Sequence, residues 1–254
     1  MTSDKTQKGE GQKREVVIPG EVIVQGDEYL PGDGTKKKEE GIVALKYGLA
    51  DKSENLVRVI PLSGPYNPRT GNVVIGKVVM LTENGWVIDI GTPKTAFLPL
   101  TEVPMYVNKG ALDEVMDLGD MGVFKIIGLG RLGASLSVKS GFFGKIDEGM
   151  VFKINPHKVP RIIGKEGSMI KLIKERTGCK VTVGQNGVVL VKGESVDQEL
   201  FARKAINFVA EKSYIEGLTD KVEQWFKDHG VDVESEKKSE EESEENKSEE
   251  EKSE

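Results

Sequence analysis

The stretch Pro160–Gly178, "PRIIGKEGSMIKLIKERTG", places two glycines three positions apart inside a sequence of otherwise helical character. An apolar pair precedes the glycines and an amphipathic run follows them, which predicts two short helices joined by a tight Gly-Lys-Glu-Gly loop. Because glycine has no Cβ, Gly164 and Gly167 would let the backbone of another molecule approach this loop closely. The pattern therefore predicts a binding loop, and the alternative is a simple turn between two helices.

Residues 149–213 place this loop in a regular order of strands and helices. Strand patterns in "MVFKI", "CKVTV" and "VVLV" surround the two helices, and a long helix follows that Ser195 is predicted to cap. The residues predicted to share the apolar face of this long helix are Leu200, Ala205, Ile206 and Val209. The order β-α-α-β-β-α, with G-x-x-G between the first two helices, resembles the type I KH domain, and "IIGKEGSMIKLI" fits the signature of that family.

The KH resemblance implies that the loop binds single-stranded RNA. In KH domains such a loop clamps about four nucleotides, because backbone N–H groups and the positive end of the second helix face the phosphates. Lys165 is predicted to pair with a phosphate, whereas Glu166 would oppose one. Ile163 and Ile170 either line the groove for the bases or belong to the core. The predicted contact residues of this region are Arg161, Ile163, Gly164, Lys165, Glu166, Gly167, Ser168, Ile170 and Lys171.

Charge supports an RNA-binding role for the same region. Residues 151–213 contain 12 basic and 6 acidic residues, and they are the only clearly basic block of the sequence. A concentration of Lys and Arg in one domain is typical of nucleic-acid binding, because it attracts the phosphate backbone. A simple helix–helix turn would not need this charge.

Residues 72–140 have the strand pattern of a five-stranded Greek-key barrel of the OB type, with a longer connection after the third strand. Trp86, Ile88 and Ile90 are predicted to share one face of the second strand. The pieces "VIGKV", "GWVIDIG", "AFLPLTEV", "DLGDMGVFKI" and "ASLSVKS" resemble the S-one RNA-binding domain. Such barrels bind single strands on their second and third strands and flanking loops. The predicted RNA contacts are Lys77, Trp86, Lys94, Phe97 and Arg131, and the alternative for Trp86 and Phe97 is to fill the barrel.

Residues 15–71 are predicted to form a β-rich N-terminal domain. The short runs "VVIPGEVIV", "GIVALKYGLA" and "NLVRVIPL" are rich in Val and Ile, and the loop-like stretches "PGDGT" and "SGPYNPRTG" lie between and after them. The segment contains 7 basic and 9 acidic residues, which argues against a role as the main nucleic-acid contact. Docking onto another protein is the better hypothesis for it.

The net charge of −6 at pH 7 conceals a strongly acidic C-terminal segment. Residues 231–254 contain 12 acidic and 4 basic residues, and their only apolar residues are two valines, a composition typical of disorder. We predict a solvated tail, with binding of a partner or mimicry of RNA as the alternative.

Before the tail, "IEGLTDKVEQWFKDHG" predicts an amphipathic helix that Asp220 caps. Its apolar stripe is expected to pack back onto a domain, and the alternative is that it binds a partner. That stripe consists of Leu218, Val222, Trp225 and Phe226.

Neither a catalytic site nor a metal site is predicted. Cys179, His157 and His229 are the only Cys and His residues, too few for a disulfide framework or a Cys/His zinc site. The lone "GLGRLG" precedes a strand pattern and not the helix that a dinucleotide site needs. No apolar run of about 18 residues predicts a membrane span, and the polar residues 1–14 are expected to be flexible. We therefore expect no cofactor and a cytoplasmic location.

The order of the domains resembles the RNA-binding cap subunit of the archaeal RNA exosome over residues 15–230. The predicted domains are 15–71, the S-one barrel at 72–140, and the KH domain with its C-terminal helix at 141–230. In that family three cap subunits sit on a hexameric ring of RNase-PH-like chains, which degrades RNA from the 3′ end by phosphorolysis. The resemblance implies that the N-terminal domain docks on the ring, next to other cap subunits, and that this chain recruits RNA without being the enzyme.

Two alternatives to the cap subunit stay open at the level of the sequence. One is a transcription-elongation or translation-associated factor that also pairs S-one with KH. The other is an assembly scaffold with a vestigial RNA site, which would be compatible with Glu166 in the loop and with the weakly charged barrel.

Overall fold

The computed structural model describes residues 15–26, 28–53, 55–105, 112–139, 144–213 and 217–229. The described residues form two compact units. The first unit contains residues 15–66 and the short segment Asn155–His157, and the second contains the described residues from Asn67 to His229 outside that segment. The flexible N-terminus predicted at 1–14 and the disordered acidic tail predicted at 231–254 lie outside the described residues.

Seven short strands build the described part of the first unit, which confirms the predicted β-rich character. They are β1 (Glu15–Val17), β2 (Val22–Val24), β3 (Leu30–Pro31), β4 (Thr35–Lys38), β5 (Gly41–Ala44), β6 (Gly48–Ser53) and β7 (Leu56–Pro61). They form two sheets with the orders β1-β6-β7-β3 and β2-β5-β4. The prediction of a loop at "PGDGT" missed β4, which begins at Thr35 because it pairs antiparallel with β5.

The S-one segment forms a closed barrel of five strands, as predicted. The strands are β8 (Val73–Thr82), β9 (Gly85–Asp89), β10 (Ala96–Pro99), β11 (Met121–Leu129) and β12 (Ala134–Ser137). Their order is β12-β10-β9-β8-β11, and pairing between β11 and β12 closes the barrel. A short strand, β13 (Gly144–Lys145), adds to β11. Trp86, Ile88 and Ile90 are all buried, which confirms their predicted common face.

The KH segment has the predicted order of strands and helices. Its elements are β14 (Met150–Lys153), α1 (Val159–Ile163), α2 (Ser168–Thr177), β15 (Lys180–Val183), β16 (Val188–Lys192) and α3 (Val196–Glu211). The antiparallel sheet has the order β14-β16-β15. Ser195 caps α3 as predicted, since its Oγ accepts a hydrogen bond from the Gln198 backbone N at 3.3 Å.

One predicted core residue of α3 is wrong. Leu200 is exposed, whereas Ala202 is completely buried. Ala202, Ala205, Ile206 and Val209 have the spacing i, i+3, i+4, i+7, which places them on one helix face. Leu200 precedes this series by two positions, and two residues correspond to more than half a helical turn.

The last described helix, α4 (Leu218–Asp228), packs back onto the KH domain. Leu218, Val222 and Phe226 join the core that also contains α3, and Trp225 stacks on the ring of Phe208 at a centroid distance of 5.6 Å. The predicted cap at Asp220 is wrong, because Gly217 in a left-handed conformation precedes the helix and no side chain caps it. None of the helices in the described ranges has the length and apolar character that a membrane span requires.

The KH sheet is covered on both faces within the second unit. Its helices cover one face, and the barrel covers the other, where Val188 packs with Ile75 and Val123. The turn between β15 and β16 reaches into the barrel: Asn186 Nδ2 donates to the backbone oxygens of Ile75 at 2.7 Å and Ile90 at 3.0 Å. Asn186 Oδ1 also accepts from the Ile75 N at 3.2 Å. The barrel and the KH domain are therefore joined by an apolar layer and by a buried amide.

Candidate nucleic-acid interface

The Gly-Lys-Glu-Gly loop turns the chain sharply between α1 and α2, and its two glycines serve different purposes. Gly164 has φ 77° and Gly167 has φ 81°, values that favour glycine. A Cβ on Gly164 would lie 2.7 Å from the Met169 N and would clash with the start of α2. The nearest atom to a Cβ on Gly167 would be 3.9 Å away. The fold of the loop therefore requires a glycine at position 164. Of the two glycines, only Gly167 has open space beside it for a ligand.

The N-terminus of α2 faces the same loop. The helix is ten residues long, and no side chain caps its first N–H groups. These N–H groups carry the positive end of the helix dipole, so they can donate to an anion placed beside the exposed Ser168. The geometry is that of a helix N-terminus with room for a phosphate.

The charged residues of the loop lie at its tip. Lys165 and Glu166 are both exposed, and in the part of the chain that is described Lys165 has no ion-pair partner. Glu166 is the only described residue other than glycine with a positive φ, at 55°. Arg161 is exposed in the last turn of α1. Lys171 is exposed as well, but its Nζ lies 3.7 Å from Glu175 Oε1, so part of its charge is offset.

The two isoleucines predicted to line a groove are half-buried. Ile162, next to Ile163, is completely buried and supplies the core contact of α1. Ile163 keeps part of its surface accessible, and Ile170 packs against the edge of the KH core. Both residues therefore remain candidates for contact with bases.

The predicted barrel contacts fall into separate groups. Lys94 and Arg131 are brought together, since Lys94 Nζ donates to the Arg131 backbone oxygen at 2.8 Å. Phe97 is half-buried and pairs with Val87 across β9 and β10, on the face opposite the buried Ala96 and Leu98. Phe97 thus has a ring surface that a base can reach.

The structure buries one of the two remaining predicted contacts of the barrel and leaves the other exposed. Trp86 has no exposed surface, and its Nε1 donates to the Met116 backbone oxygen at 2.9 Å. The prediction of an RNA contact at Trp86 is therefore wrong, because the indole fills the barrel. Lys77 is exposed on β8, opposite Asp89 in the β8–β9 pairing.

Sequence reasoning missed the residues that join the barrel to the KH sheet. "GQNG" predicted only a turn, yet Asn186 is buried and Gln185 Oε1 accepts from the Val73 N at 2.6 Å. Their partners lie 96 to 112 positions away in the sequence, so no local pattern could have revealed them.

The other potentially reactive side chains that the structure describes do not form a cluster. Within the described ranges no group of three or more His, Cys, Asp or Glu side chains could hold a metal ion. Cys179 is buried in the KH core, and this burial raises the pKa of its thiol. His157 belongs to the first unit, where burial and the nearby Lys46 lower the pKa of its imidazole.

Two family models match the chain. The KH domain model matches residues 149–208, which include both helices around the glycine loop. The model of the S1 (S-one) domain of RRP4 matches residues 65–114, which include the first three barrel strands.

Two relatives each align with most of the chain. The exosome complex component Rrp4 of Methanothermobacter thermautotrophicus is 38% identical over 213 residues, which are 84% of this chain and 68% of the relative. The Rrp4 component of Methanothermus fervidus is 37% identical over 217 residues, 84% of this chain and 96% of the relative. A crystal structure of a candidate exosome complex RNA-binding protein superposes with a TM-score of 0.58 at 30% identity. That superposition covers 65% of this chain and 97% of the solved one.

Proposed function

The chain belongs to the Rrp4 family of exosome components, and from this we propose that it is the non-catalytic RNA-binding cap subunit of an exosome. In this role it recruits single-stranded RNA to the pore of a hexameric 3′–5′ phosphorolytic nuclease ring, for degradation and processing. Other cap subunits are its neighbours on that ring. The same proposal places the protein in the cytoplasm.

The observation that carries the RNA-binding part is the geometry of the Gly-Lys-Glu-Gly loop. The exposed Lys165, which has no ion pair among the described residues, the open space beside Gly167 and the uncapped start of α2 at Ser168 lie within four consecutive residues. A phosphate at that point would receive backbone hydrogen bonds and a charge-assisted one. The half-buried Ile163 and Ile170 would then contact the adjacent bases.

A sheet face of the first unit supports the docking part of the proposal. In β7 the buried Val57 and Val59 alternate with outward-facing residues. The outward positions form two apolar cross-strand rows, namely Val16–Leu49–Ile60 and Leu30–Leu56. Between the rows Arg58 Nε donates to Asp51 Oδ2 at 2.7 Å. Val16 and Leu30 are more than half exposed, and an exposed apolar patch is typical of a protein–protein contact.

A salt-dependent titration tests the RNA-binding part. The measurement uses the full chain and short single-stranded RNA, with Lys165→Asp compared against the wild type. We expect the variant to lose about 1–3 kcal/mol of binding free energy, the scale of a lost charge-assisted hydrogen bond. The dependence of the logarithm of affinity on the logarithm of salt should flatten by roughly 0.7, the value for one phosphate contact.

Lys227→Asp in the last turn of α4 is the matched control, because it makes the same charge change at another exposed lysine of the same unit. Equal RNA affinity of wild type, control and Lys165→Asp would refute the loop as the RNA clamp.

Purification from cells tests the assembly part of the proposal. Recovery with ring nuclease chains supports the cap subunit, and recovery with RNA polymerase or ribosomes refutes it.

A further inference from the structure

An exposed apolar patch lies at the end of the barrel where the β8–β9 turn meets the long connection between β10 and β11. It consists of Val79, Met80 and Leu118, which are 45% to 58% exposed, and we call it the methionine patch. A β-bulge after Val78 interrupts the alternation of β8, so that the two consecutive residues Val79 and Met80 are both exposed. The segment of Leu118 runs beside them, since the Gly119 N donates to the Val78 oxygen at 2.9 Å. Exposed apolar side chains that gather in this way mark a contact site for another molecule.

The end of the barrel around the methionine patch is acidic. Its loops, residues 83–84, 100–120 and 138–145, contain six acidic and three basic residues. Two of the lysines are already paired with carboxylates, at 3.0 Å for Lys139–Glu102 and at 2.7 Å for Lys145–Asp120. Asp117, next to Leu118, is exposed and has no ion pair among the described residues. We therefore expect the partner of the methionine patch to combine apolar side chains with positive charge.

The opposite end of the barrel presents a loop with this chemistry. The five residues of β9 separate the two ends, and the loops of the second end, residues 69–72, 91–95 and 130–133, contain three basic and no acidic residues. In the segment 129–133 Leu129 is 52% exposed and Leu132 is 93% exposed, and the exposed Arg131 lies between them. We call this segment the leucine loop. The carboxylate nearest to these loops in sequence, Asp89, accepts from the Gly91 N at 2.8 Å.

The leucine loop is fixed by contacts at its base. The Gly130 N donates to the Gly133 oxygen at 2.8 Å, and Lys94 Nζ donates to the Arg131 oxygen at 2.8 Å. Gly133 has a φ of 152°, and a Cβ at this position would clash with the backbone oxygen of Thr95. A loop that is ordered before it binds loses little conformational entropy on binding, which favours a specific contact.

The composition of the leucine loop favours a protein over RNA as its partner. Bases of single-stranded RNA stack on aromatic side chains, and none of the residues 69–72, 91–95 and 129–133 is aromatic. Leu129 and Leu132 instead offer aliphatic surface, and Arg and Met are enriched in protein–protein contacts. The methionine patch of a second copy has the matching combination of exposed apolar side chains and an unpaired carboxylate.

We propose that copies of this chain bind head to tail through their barrels, with the leucine loop of one copy on the methionine patch of the next. Leu132 of one copy packs against Met80 and Leu118 of the next, and Arg131 pairs with Asp117 of that copy. Because the two surfaces differ and lie at opposite ends of one barrel, the contact is heterologous, and further copies can add until a ring closes. The contact uses neither the Gly-Lys-Glu-Gly loop nor the sheet face of the first unit, so it goes beyond the proposed function.

Complementation between two variants of the full chain tests the head-to-tail contact. Leu132→Asp damages the loop and keeps the patch, whereas Met80→Asp damages the patch and keeps the loop. Each aspartate faces water in the single chain but would be desolvated in the contact, which is unfavourable. In sedimentation velocity at low salt, the wild type should sediment faster as its concentration rises, and each variant alone should sediment as a monomer. An equimolar mixture of the two variants should form a dimer and nothing larger, since it has only one intact pair of loop and patch.

The control is Val196→Asp at the start of α3, on the side of the KH sheet that is turned away from the barrel. It places the same charge on another exposed apolar side chain of the same unit and should associate like the wild type. Association of the wild type should weaken as salt rises, because exposed charges are paired in the contact.

Two results would overturn the inference. One is a wild type that stays monomeric at all concentrations, and the other is a mixture of the two variants that forms no dimer. If the wild type stays monomeric and Leu132→Asp weakens its binding of single-stranded RNA, the leucine loop is an RNA contact and not a contact between copies. These results leave the proposed function untouched, because Lys165→Asp and recovery with ring chains test that function independently.

Discussion

At the scale of single residues, Glu166 combines a strained backbone with an unfavourable charge. Its φ of 55° costs about 1–2 kcal/mol for a residue with a Cβ. Its carboxylate also lies at the tip of the loop that we propose to bind phosphate. These two effects act on different quantities, since the strain lowers the free energy of unfolding and the charge lowers the affinity for RNA.

A pair of substitutions separates strain from charge. Glu166→Gln removes the carboxylate and keeps the strain, so RNA affinity should rise while the melting temperature stays the same. Glu166→Gly removes both, and it should in addition raise the free energy of unfolding by up to about 1 kcal/mol. RNA titrations and urea denaturation of both variants provide the measurement. If Glu166→Gly destabilises the protein, the positive φ of the free chain is not a source of strain.

Residues with distant partners mark the limit of what the sequence could predict. The inward face of Trp86, Ile88 and Ile90 followed from alternation along one strand, and the structure confirms it. The strand pattern could not decide whether Trp86 fills the barrel or binds RNA, because its role depends on a hydrogen bond to the Met116 oxygen, 30 positions away. No local sequence pattern indicated that Asn186 would be buried and hydrogen-bonded, since its partners belong to the barrel.

Asn186 is predicted to be the most important polar residue of the contact between barrel and KH sheet. Asn186→Ala removes one acceptor and one double donor, and it leaves the Ile75 N and O and the Ile90 O buried without these partners. We expect a loss of about 2–4 kcal/mol in the free energy of unfolding, since buried unsatisfied groups cost about 1–3 kcal/mol each. Urea denaturation measures it, with the exposed Asn84→Ala as the control. A loss equal to that of Asn84→Ala would contradict the role of the amide.

At the scale of elements, the KH domain was predicted best because its pattern is local. Strands, helices and the Ser195 cap followed from spacing and from residue type, whereas the helix face around Leu200 and the Asp220 cap of α4 were wrong. The N-terminal unit was predicted as β-rich, but β4 was missed. Its sequence, Thr-Lys-Lys-Lys, has no apolar alternation, and its strand conformation depends on pairing with β5.

The C-terminal helix α4 should contribute to stability through Phe226. This side chain is 1% exposed and lies in the KH core, so Phe226→Ala leaves a cavity and should cost about 3–5 kcal/mol. Glu223→Ala on the exposed side of the same helix should change stability by less than about 0.5 kcal/mol. Thermal and urea unfolding of both variants test this. Equal stability of the two would mean that α4 is not docked in solution and that its apolar stripe is available to a partner.

At the scale of the whole molecule, the two units differ in charge and in exposed apolar surface. The basic KH domain lies in the second unit, and the first unit has an acidic excess and an exposed apolar sheet face. Since the sheet face is apolar and the loop is cationic, association with the ring and binding of RNA should depend on different residues.

Substitutions on the sheet face should therefore abolish association with the ring without affecting RNA. Leu30 and Leu56 pair in parallel across β3 and β7 and are 65% and 41% exposed, so an aspartate at either position faces water in the free chain and keeps the fold. In the assembly it would be a desolvated charge in an apolar contact, which costs several kcal/mol. Leu30→Asp and Leu56→Asp should lose stoichiometric binding to the ring, measured by size-exclusion chromatography with purified ring chains, while their affinity for single-stranded RNA stays that of the wild type. Lys36→Gln on β4 of the other sheet makes the same change in net charge and should still bind the ring. If both aspartate variants join the ring stoichiometrically, the ring binds another surface of the chain.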